Sequence, residues 1–267
     1  MEVQIHRDII WYLKVWKRLT MVSFKVAFMS RLGAVLFTLG KFLRFGFLFA
    51  FIVVLVNNTK TLVGYSLNQV LIFYLVFNVL DSLTQLLFRD VYRFRQKVLS
   101  GDFDLLLVKP MSPLFRVLFG GADPLDIITL IPYCGFLIFI SIGEKVSIIS
   151  VLLFLLLFLN GFLIATAFHI AILALGILTT EIDHALMIYR DISGMGRFPP
   201  GVYHEFIRLL ITFVIPIGIM VSFPAQALVG LLAPQMVLVS LAVGFTFFFL
   251  SILLWRYALT QYTSASS

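Results

Sequence analysis

Apolar residues form six long runs, separated by polar, charged and proline-containing stretches. A helix rises about 1.5 Å per residue, so roughly 20 apolar residues cross a hydrocarbon layer about 30 Å thick. Every run but the fifth reaches that length. The pattern therefore predicts an all-α polytopic membrane protein with six transmembrane helices, at about residues 33–56, 65–88, 124–143, 148–178, 206–223 and 235–255.

The fifth run is short and contains Pro216. A proline inside a helix removes one backbone hydrogen bond, which predicts a kink. The following residues, 223–234, are apolar but include Pro224 and Pro234 and are too few to cross a bilayer. We interpret this stretch as a small re-entrant or interfacial hairpin on the outer face.

Residues 1–32 have a different pattern, with apolar residues at spacings of three and four and basic residues on another face. The apolar stripe consists of Trp11, Val15, Leu19, Val22 and Val26, and the basic face consists of Lys14, Lys17, Arg18 and Lys25. This pattern predicts an amphipathic helix in the plane of the inner headgroups. A membrane anchor and an elbow that contacts a cytoplasmic partner are both compatible with it. Residues 33–267 would then form one six-helix transmembrane domain.

Basic residues are concentrated on one side of the predicted spans. Of the 20 Lys and Arg residues, only Lys60 and Lys145 lie in the loops of the other side, and Lys41 and Arg44 lie within span one. Basic residues near helix ends are retained in the cytoplasm. We therefore expect a multi-pass protein of the plasma (inner) membrane with both termini, the loop 89–123 and the loop around residues 190–208 in the cytoplasm.

Composition excludes a soluble protein of this length. Hydrophobic residues make up 61% of the chain and charged residues 12%, and the mean hydropathy is +1.06. That leaves too little polar surface to cover a soluble core. The net charge of +7 is spread over segments beside the membrane, which favours anionic lipid headgroups as the partner and not nucleic acid.

The second loop, residues 89–123, is much longer than a connection needs. It starts as a basic helix, breaks at a glycine, passes two acidic residues and enters a turn that prolines make rigid. An apolar patch at residues 105–108 lies between these features, so we interpret the loop as a docking surface. Its candidate contact residues are Gly101, Asp102, Asp104, Lys109, Pro110 and Pro113.

Residues 101–115 read GDFDLLLVKPMSPLF. They resemble the G-x-x-D-x-L-L-x-(K/R)-P-x-x-P-L loop of the membrane subunits of ABC type-2 exporters, in the uncharacterised ABC-2 family branch. The six spans and the sequence RFPPGVY at residues 197–203 agree with that resemblance, which covers nearly the whole chain. Met111 and Ser112 stand where the motif has an apolar residue followed by Asn.

The resemblance implies that the loop contains a coupling helix seated in a groove of an ATP-binding subunit. It also implies that two six-span permease subunits pair around an export path. Whether the second subunit is identical or different stays open. The chain has no G-x-x-x-x-G-K-[ST] phosphate loop. We therefore expect no enzymatic activity and no bound cofactor in this chain, with ATP and magnesium on the partner subunit.

Polar residues inside the spans are candidates for a substrate path or for structural pairs. Span one contains Lys41 and Arg44, and one stripe of span two contains Asn78, Asp81 and Gln85. The helical rise puts Lys41 and Asp81 at similar depth, so we predict that Asp81 pairs with Lys41 or Arg44. A structural ion pair and a role in the path both stay open.

The leading function is therefore the permease subunit of an ATP-driven exporter. The alternative is a secondary transporter or ion channel, which would need no ATPase partner. No set of metal ligands or catalytic residues can be assembled within the spans, so an intramembrane enzyme is disfavoured.

Overall fold

A computed structural model describes residues 8–179 and 182–263, and it confirms the all-α prediction for them. Five helices are long and apolar enough to cross a membrane, or up to six if one bent pair counts as a span. The helices are α1 (Ile9–Ala27), α2 (Arg31–Thr59), α3 (Leu67–Phe88), α4 (Phe94–Leu99), α5 (Asp102–Leu107), α6 (Pro113–Leu118), α7 (Pro124–Gly143), α8 (Ile148–Thr179), α9 (Ile182–Ser193), α10 (Glu205–Leu209), α11 (Phe223–Leu228) and α12 (Pro234–Gln261).

Local sequence sets where the long helices begin. The Ser66 side chain accepts a hydrogen bond from the backbone of Gln69, whose side chain accepts one from the backbone of Ser66, so the pair forms a capping box for α3. The Asp123 side chain accepts from the Leu125 amide and Pro124 occupies the first turn of α7. Five predicted spans, all but the fifth, correspond to α2, α3, α7, α8 and α12.

Helix α3 is central and α2 is peripheral. In the most apolar stretch of the helical segment that includes α3, 67% of the residues are buried. In the corresponding stretch of α2 only 11% are buried. A helix that is buried along most of its length packs against neighbours on several sides. The exposed apolar surface of α2 is therefore left for lipid or another subunit.

The bundle has two ends. We call the end with residues 89–123 the loop end and the end with the α2–α3 connection, residues 60–66, the turn end. Asn68 at the start of α3 donates to Glu144 beyond α7 over 2.8 Å, so the α7–α8 connection also lies at the turn end.

Helices α8 and α12 run parallel. Asn160 donates to the Ser240 backbone oxygen over 2.8 Å, and farther along both helices the rings of Phe168 and Phe247 are 5.1 Å apart. Both helices thus run from the turn end to the loop end. The chain between them must return in the opposite direction.

Residues 182–203 make that return. Near the start of α9, Asp183 accepts a hydrogen bond from Arg95 of the loop over 2.9 Å. Farther on, Phe198 packs in the cluster of Ile52 and Val56, and a Cβ placed on Gly201 would lie 2.8 Å from a Val63 methyl carbon at the turn end. The predicted cytoplasmic loop around 190–208 is therefore wrong: this segment passes through the bundle.

Residues 205–228 form a bent pair of helical arms, Glu205–Val214 and Gly218–Leu228, which meet at 80°. The predicted kink at Pro216 is confirmed, but the predicted single span 206–223 is wrong. The first arm follows Gly201 at the turn end. A Cβ on Gly230, just past the second arm, would lie 3.8 Å from Ser150 at that same end. The pair enters and leaves at one end, as a re-entrant pair does.

The predicted separate hairpin at 223–234 is also corrected. Residues 223–228 continue the second arm, and both Phe223 and Leu228 are buried. The arm fits closely against α8, because a Cβ on Gly161 would overlap the Met220 carbonyl group. Small residues at helix contacts allow this approach inside membrane bundles.

The path of residues 182–203 predicts which sites share a side. Single cysteines are placed at Asn58, Glu205 and Gln261 on a Cys134→Ser background. A membrane-impermeant thiol reagent should label the cysteines at Asn58 and Glu205 from one side of the membrane and the cysteine at Gln261 from the other side. Labelling in intact and in inverted vesicles measures this. Reaction of Glu205→Cys from the same side as Gln261→Cys would contradict the path.

Candidate functional site

Helix α1 packs on the second half of the 89–123 loop. The Tyr12 hydroxyl accepts a hydrogen bond from the Ser112 amide over 3.2 Å, and its ring lies 4.7 Å from that of Phe115. The Thr20 hydroxyl accepts from the Ala122 amide over 3.1 Å. Gly121, at φ +130°, brings its backbone against the Leu19 carbonyl, where a side chain would clash. Helix α1 therefore contacts the long loop of its own chain.

The basic face of α1 points away from these contacts. Its four residues, Lys14, Lys17, Arg18 and Lys25, are all exposed. The predicted apolar stripe is divided, because Trp11, Val15 and Leu19 are half-buried whereas Val22 and Val26 are exposed. This leaves one protein-facing side, one basic side and apolar residues between them.

The loop is anchored by aromatic side chains. Phe103 of α5 is fully buried, with its ring 5.0 Å from Phe94, 6.4 Å from Trp255 and 5.1 Å from Tyr262. The left-handed backbone of Gly101, at φ +75°, makes the turn that sends Phe103 back toward the core. Phe103 therefore packs α5 against the end of α12 and the residue just past it.

Ion pairs hold the first part of the loop. The Asp90 carboxylate lies between Lys97 and the Arg116 guanidinium, the latter 3.1 Å away. A Cβ on Gly120 would overlap the Asp90 side chain, so only glycine allows this approach. The two halves of the loop are joined through one carboxylate.

The outward side of the loop is apolar. Leu105 is 61% exposed and Val108 81% exposed, and Leu99 is exposed beside them. Lys109 and Pro110 continue this surface. We call Leu99, Leu105, Val108, Lys109 and Pro110 the loop patch.

The acidic and proline residues predicted as contacts in the loop lie in different environments. Asp102 is exposed and accepts from the Ser100 hydroxyl over 2.8 Å. Asp104 lies next to Tyr262; burial first, and then this carboxylate, raise the pKa of Tyr262 to about 12. Pro113 occupies the first turn of α6. Asp102 is thus available to a partner, whereas Asp104 contributes to the anchor.

A cavity of about 570 Å³ lies between α2, α3, α7 and the returning segment. It brings together the five polar residues selected from the spans, namely Lys41, Arg44, Asn78, Asp81 and Gln85. Aromatic side chains of α2, α3 and α7 complete the wall. The polar stripe of α3 thus faces a cavity and not lipid.

The predicted pairing of Asp81 is wrong. Lys41 forms an ion pair with Asp126 of α7 and donates to the Gln85 amide oxygen over 3.4 Å. Gln85 in turn donates to Asp81 over 2.7 Å. In the part of the chain that the structure describes, no ion pair joins Asp81 to Lys41 or Arg44. Asp126 is fully buried, so leaving its charge unpaired would cost more free energy than leaving Asp81 unpaired, since Asp81 borders the cavity.

Sequence reasoning missed several charged residues here, among them Asp126, Arg190 and Arg197. Asp126 stands at the third position of an apolar span, and an isolated acid so placed was the available signal. Arg190 and Arg197 were assigned to a cytoplasmic loop, yet both line the cavity, and Arg197 lies 4.8 Å from the Phe77 ring centre. An adjoining cavity of about 370 Å³ is lined by both of these arginines and by Arg44.

Comparison with known proteins decides the family. Residues 42–266 match the family described as "ABC-2 family transporter protein". The chain belongs to the ABC-2 transporter family. No curated protein and no solved structure matches it.

As an ABC-2 family member, the chain is a multi-pass membrane protein and a permease component of an ABC transporter. Such permeases are transport components that associate in general with an ATP-binding subunit. The match begins at residue 42 and so includes the 89–123 loop and most of the cavity wall.

The pairing of Lys41 with Asp126 predicts a specific coupling in the permease. Asp126→Asn should destabilise the protein by about 1 to 3 kcal/mol, below the ~3–5 kcal/mol of a fully buried pair because water reaches Lys41. Lys41 is 20% exposed. Lys41→Met added to Asp126→Asn should recover part of that loss. Unfolding in detergent measures the cycle.

The matched control for that cycle is Asp81→Asn, which removes the carboxylate that lines the cavity. Asp81→Asn should destabilise the protein less than Asp126→Asn does, and its effect should be coupled more weakly to that of Lys41→Met. The reason is that the Asp81 carboxylate is connected to Lys41 only through the Gln85 side chain. Equal coupling of Lys41 to both carboxylates, or strict additivity for Asp126, would contradict the assignment.

Proposed function

We propose that this chain is the permease subunit of an ATP-driven exporter and that its loop patch docks a separate ATP-binding subunit. The observation that carries the proposal is an exposed apolar surface on a loop whose opposite side is fixed in the helix core. Leu105 and Val108 face outward, while Phe103 and Leu106 of the same short helix are buried.

The anchoring of the loop supports a coupling role. Phe103 and Leu106 share a core cluster with Leu173 of α8 and Trp255 of α12. A close-packed core transmits displacement, because its side chains have few alternative positions. Movement of a docked ATPase would thus shift the ends of two membrane helices.

We propose that the loop end is cytoplasmic and that the permease lies in the plasma (inner) membrane. Helix α1 packs on the loop, and Tyr262, just past α12, packs on Phe103, so both terminal segments lie at this end. The exposed basic face of α1 suits anionic headgroups of the inner leaflet.

Two permease subunits would form the working membrane unit. Alternating access requires halves that move relative to each other around a path. The peripheral α2, with its exposed apolar surface, offers area for a second subunit, identical or different. ATP and magnesium would bind to the ATPase chains, and this chain would hold no cofactor.

The loop patch predicts a loss of docking on charge insertion. Leu105→Glu combined with Val108→Glu should reduce the amount of co-purified ATP-binding subunit by about tenfold or more, because charged groups replace apolar contacts at the centre of the interface. Affinity purification from native membranes with quantification of the associated ATPase checks this.

The control is Leu231→Glu, a similarly exposed leucine at the turn end. It should leave co-purification unchanged. Undiminished ATPase in the loop variant would contradict the docking role of the patch. A wild-type permease that transports without any ATPase, driven by an ion gradient, would instead support a secondary transporter.

A further inference from the structure

We propose that the 570 Å³ cavity binds the anionic head of an amphiphile, a phosphate or carboxylate group that carries an apolar tail. That such a molecule is the exported substrate rests on the proposed function. Binding in the cavity does not depend on it, since every residue involved belongs to this chain.

The cavity is strongly cationic. Six basic side chains line it, namely Lys41, Arg44, Arg89, Arg93, Arg190 and Arg197, and the carboxylate that lines it is Asp81. Two of these cations are neutralised elsewhere: Lys41 by Asp126, and Arg89 by Asp123 over 3.3 Å. Asp191 lines the adjoining cavity.

Of the four remaining cations, Arg93 is exposed at the start of the loop. Like Arg93, the other three form no ion pair within residues 8–179 and 182–263; they are Arg44, Arg190 and Arg197. Asp81, the acidic residue on the wall of this cavity, accepts a hydrogen bond from Gln85. A guanidinium presents several N–H donors in a planar fork that matches the oxygens of phosphate and carboxylate. The unpaired arginines therefore offer donors to an anion.

Two of these arginines, Arg44 and Arg197, lie deep in the bundle, where an unpaired charge is costly unless water or a ligand reaches it. Arg44 lies roughly 20 Å along α2 from its first residue, Arg31, by the rise of a helix. Arg197 lies over Phe77, in the middle of α3. Charges at such depth in a membrane protein are paired or face water, and they mark ligand or ion pathways. Here the missing counter-charge is best supplied by a ligand.

The remaining wall suits an apolar tail. Phe37, Phe45 and Tyr133 line the same cavity, as do Leu36 and Leu48 of α2. Leu36 is 57% exposed, so this part of the wall is accessible to an apolar tail. A free phosphate would use none of this surface. The volume is that of a small-molecule site, for which about 300–1,000 Å³ is typical.

Binding to the purified permease in a neutral maltoside detergent tests the proposal. The probes are dodecyl phosphate, dodecylphosphocholine with the same chain but a zwitterionic head, and inorganic phosphate. Native mass spectrometry or microscale thermophoresis gives the affinities. Dodecyl phosphate should bind about tenfold or more tightly than either of the others, because only it combines an uncompensated negative charge with a tail.

Variants locate the site. Arg44→Gln combined with Arg197→Gln should weaken dodecyl phosphate binding by about tenfold, and Arg44→Lys combined with Arg197→Lys should retain part of it, since charge remains but the planar fork is lost. Arg208→Gln makes the same chemical change outside the cavity and should bind as the wild type does. Thermal unfolding of each variant confirms that it is folded.

Equal affinity for the anionic and zwitterionic probes would overturn the proposal, as would undiminished binding in the Gln variants. If inorganic phosphate binds as tightly as dodecyl phosphate, the inference that the ligand carries an apolar tail is wrong. If the double Gln variant fails to fold, the three-probe comparison on the wild type and the Lys variants decides the matter. Failure here is distinguishable from failure of the proposed function, because these variants leave the loop patch and ATPase co-purification intact.

Discussion

The structure depends on the constraint that a charge inside an apolar bundle must be paired or hydrated. Lys41 satisfies it through the buried Asp126. Arg44, Arg190 and Arg197 satisfy it by facing a cavity between α2 and α3. Because that cavity exists, residues 182–203 can cross the bundle without being apolar. One polar interior thus explains both the pairing of Lys41 and the path of the fifth crossing.

The same interior connects to the loop end. Arg89 and Arg93 line the cavity and also begin the loop that turns at Gly101. Through Phe103, the loop is packed on α12, and through Asp183, α9 is bonded to Arg95. Displacement of the loop would therefore move the segment that carries the cavity arginines. This arrangement would give a physical route between the proposed ATPase-docking patch and the proposed anion site.

Much of this was readable from the sequence. Five of the predicted spans agree with long helices, and the cavity includes all five polar residues selected from the spans. The loop motif correctly indicated the family. The fifth crossing was not predictable by hydropathy, since Arg190 and Arg197 make residues 182–203 look like a solvated loop. The partner of Lys41 was missed because depth along two helices cannot reveal a third helix, α7, that brings Asp126 closer than Asp81.

The central claim is that residues 182–203 cross the bundle from the loop end to the turn end, and that Arg190 and Arg197 line the cavity along this path. A cysteine pair at Val63 and Gly201 on a Cys134→Ser background tests it most directly, because a Cβ on Gly201 would lie 3.7 Å from the Val63 Cβ, within the range for a disulfide. Mild oxidation should cross-link this pair nearly completely, while Gln261→Cys paired with Val63→Cys should stay reduced. Absence of the Val63 to Gly201 disulfide in folded protein would contradict the account.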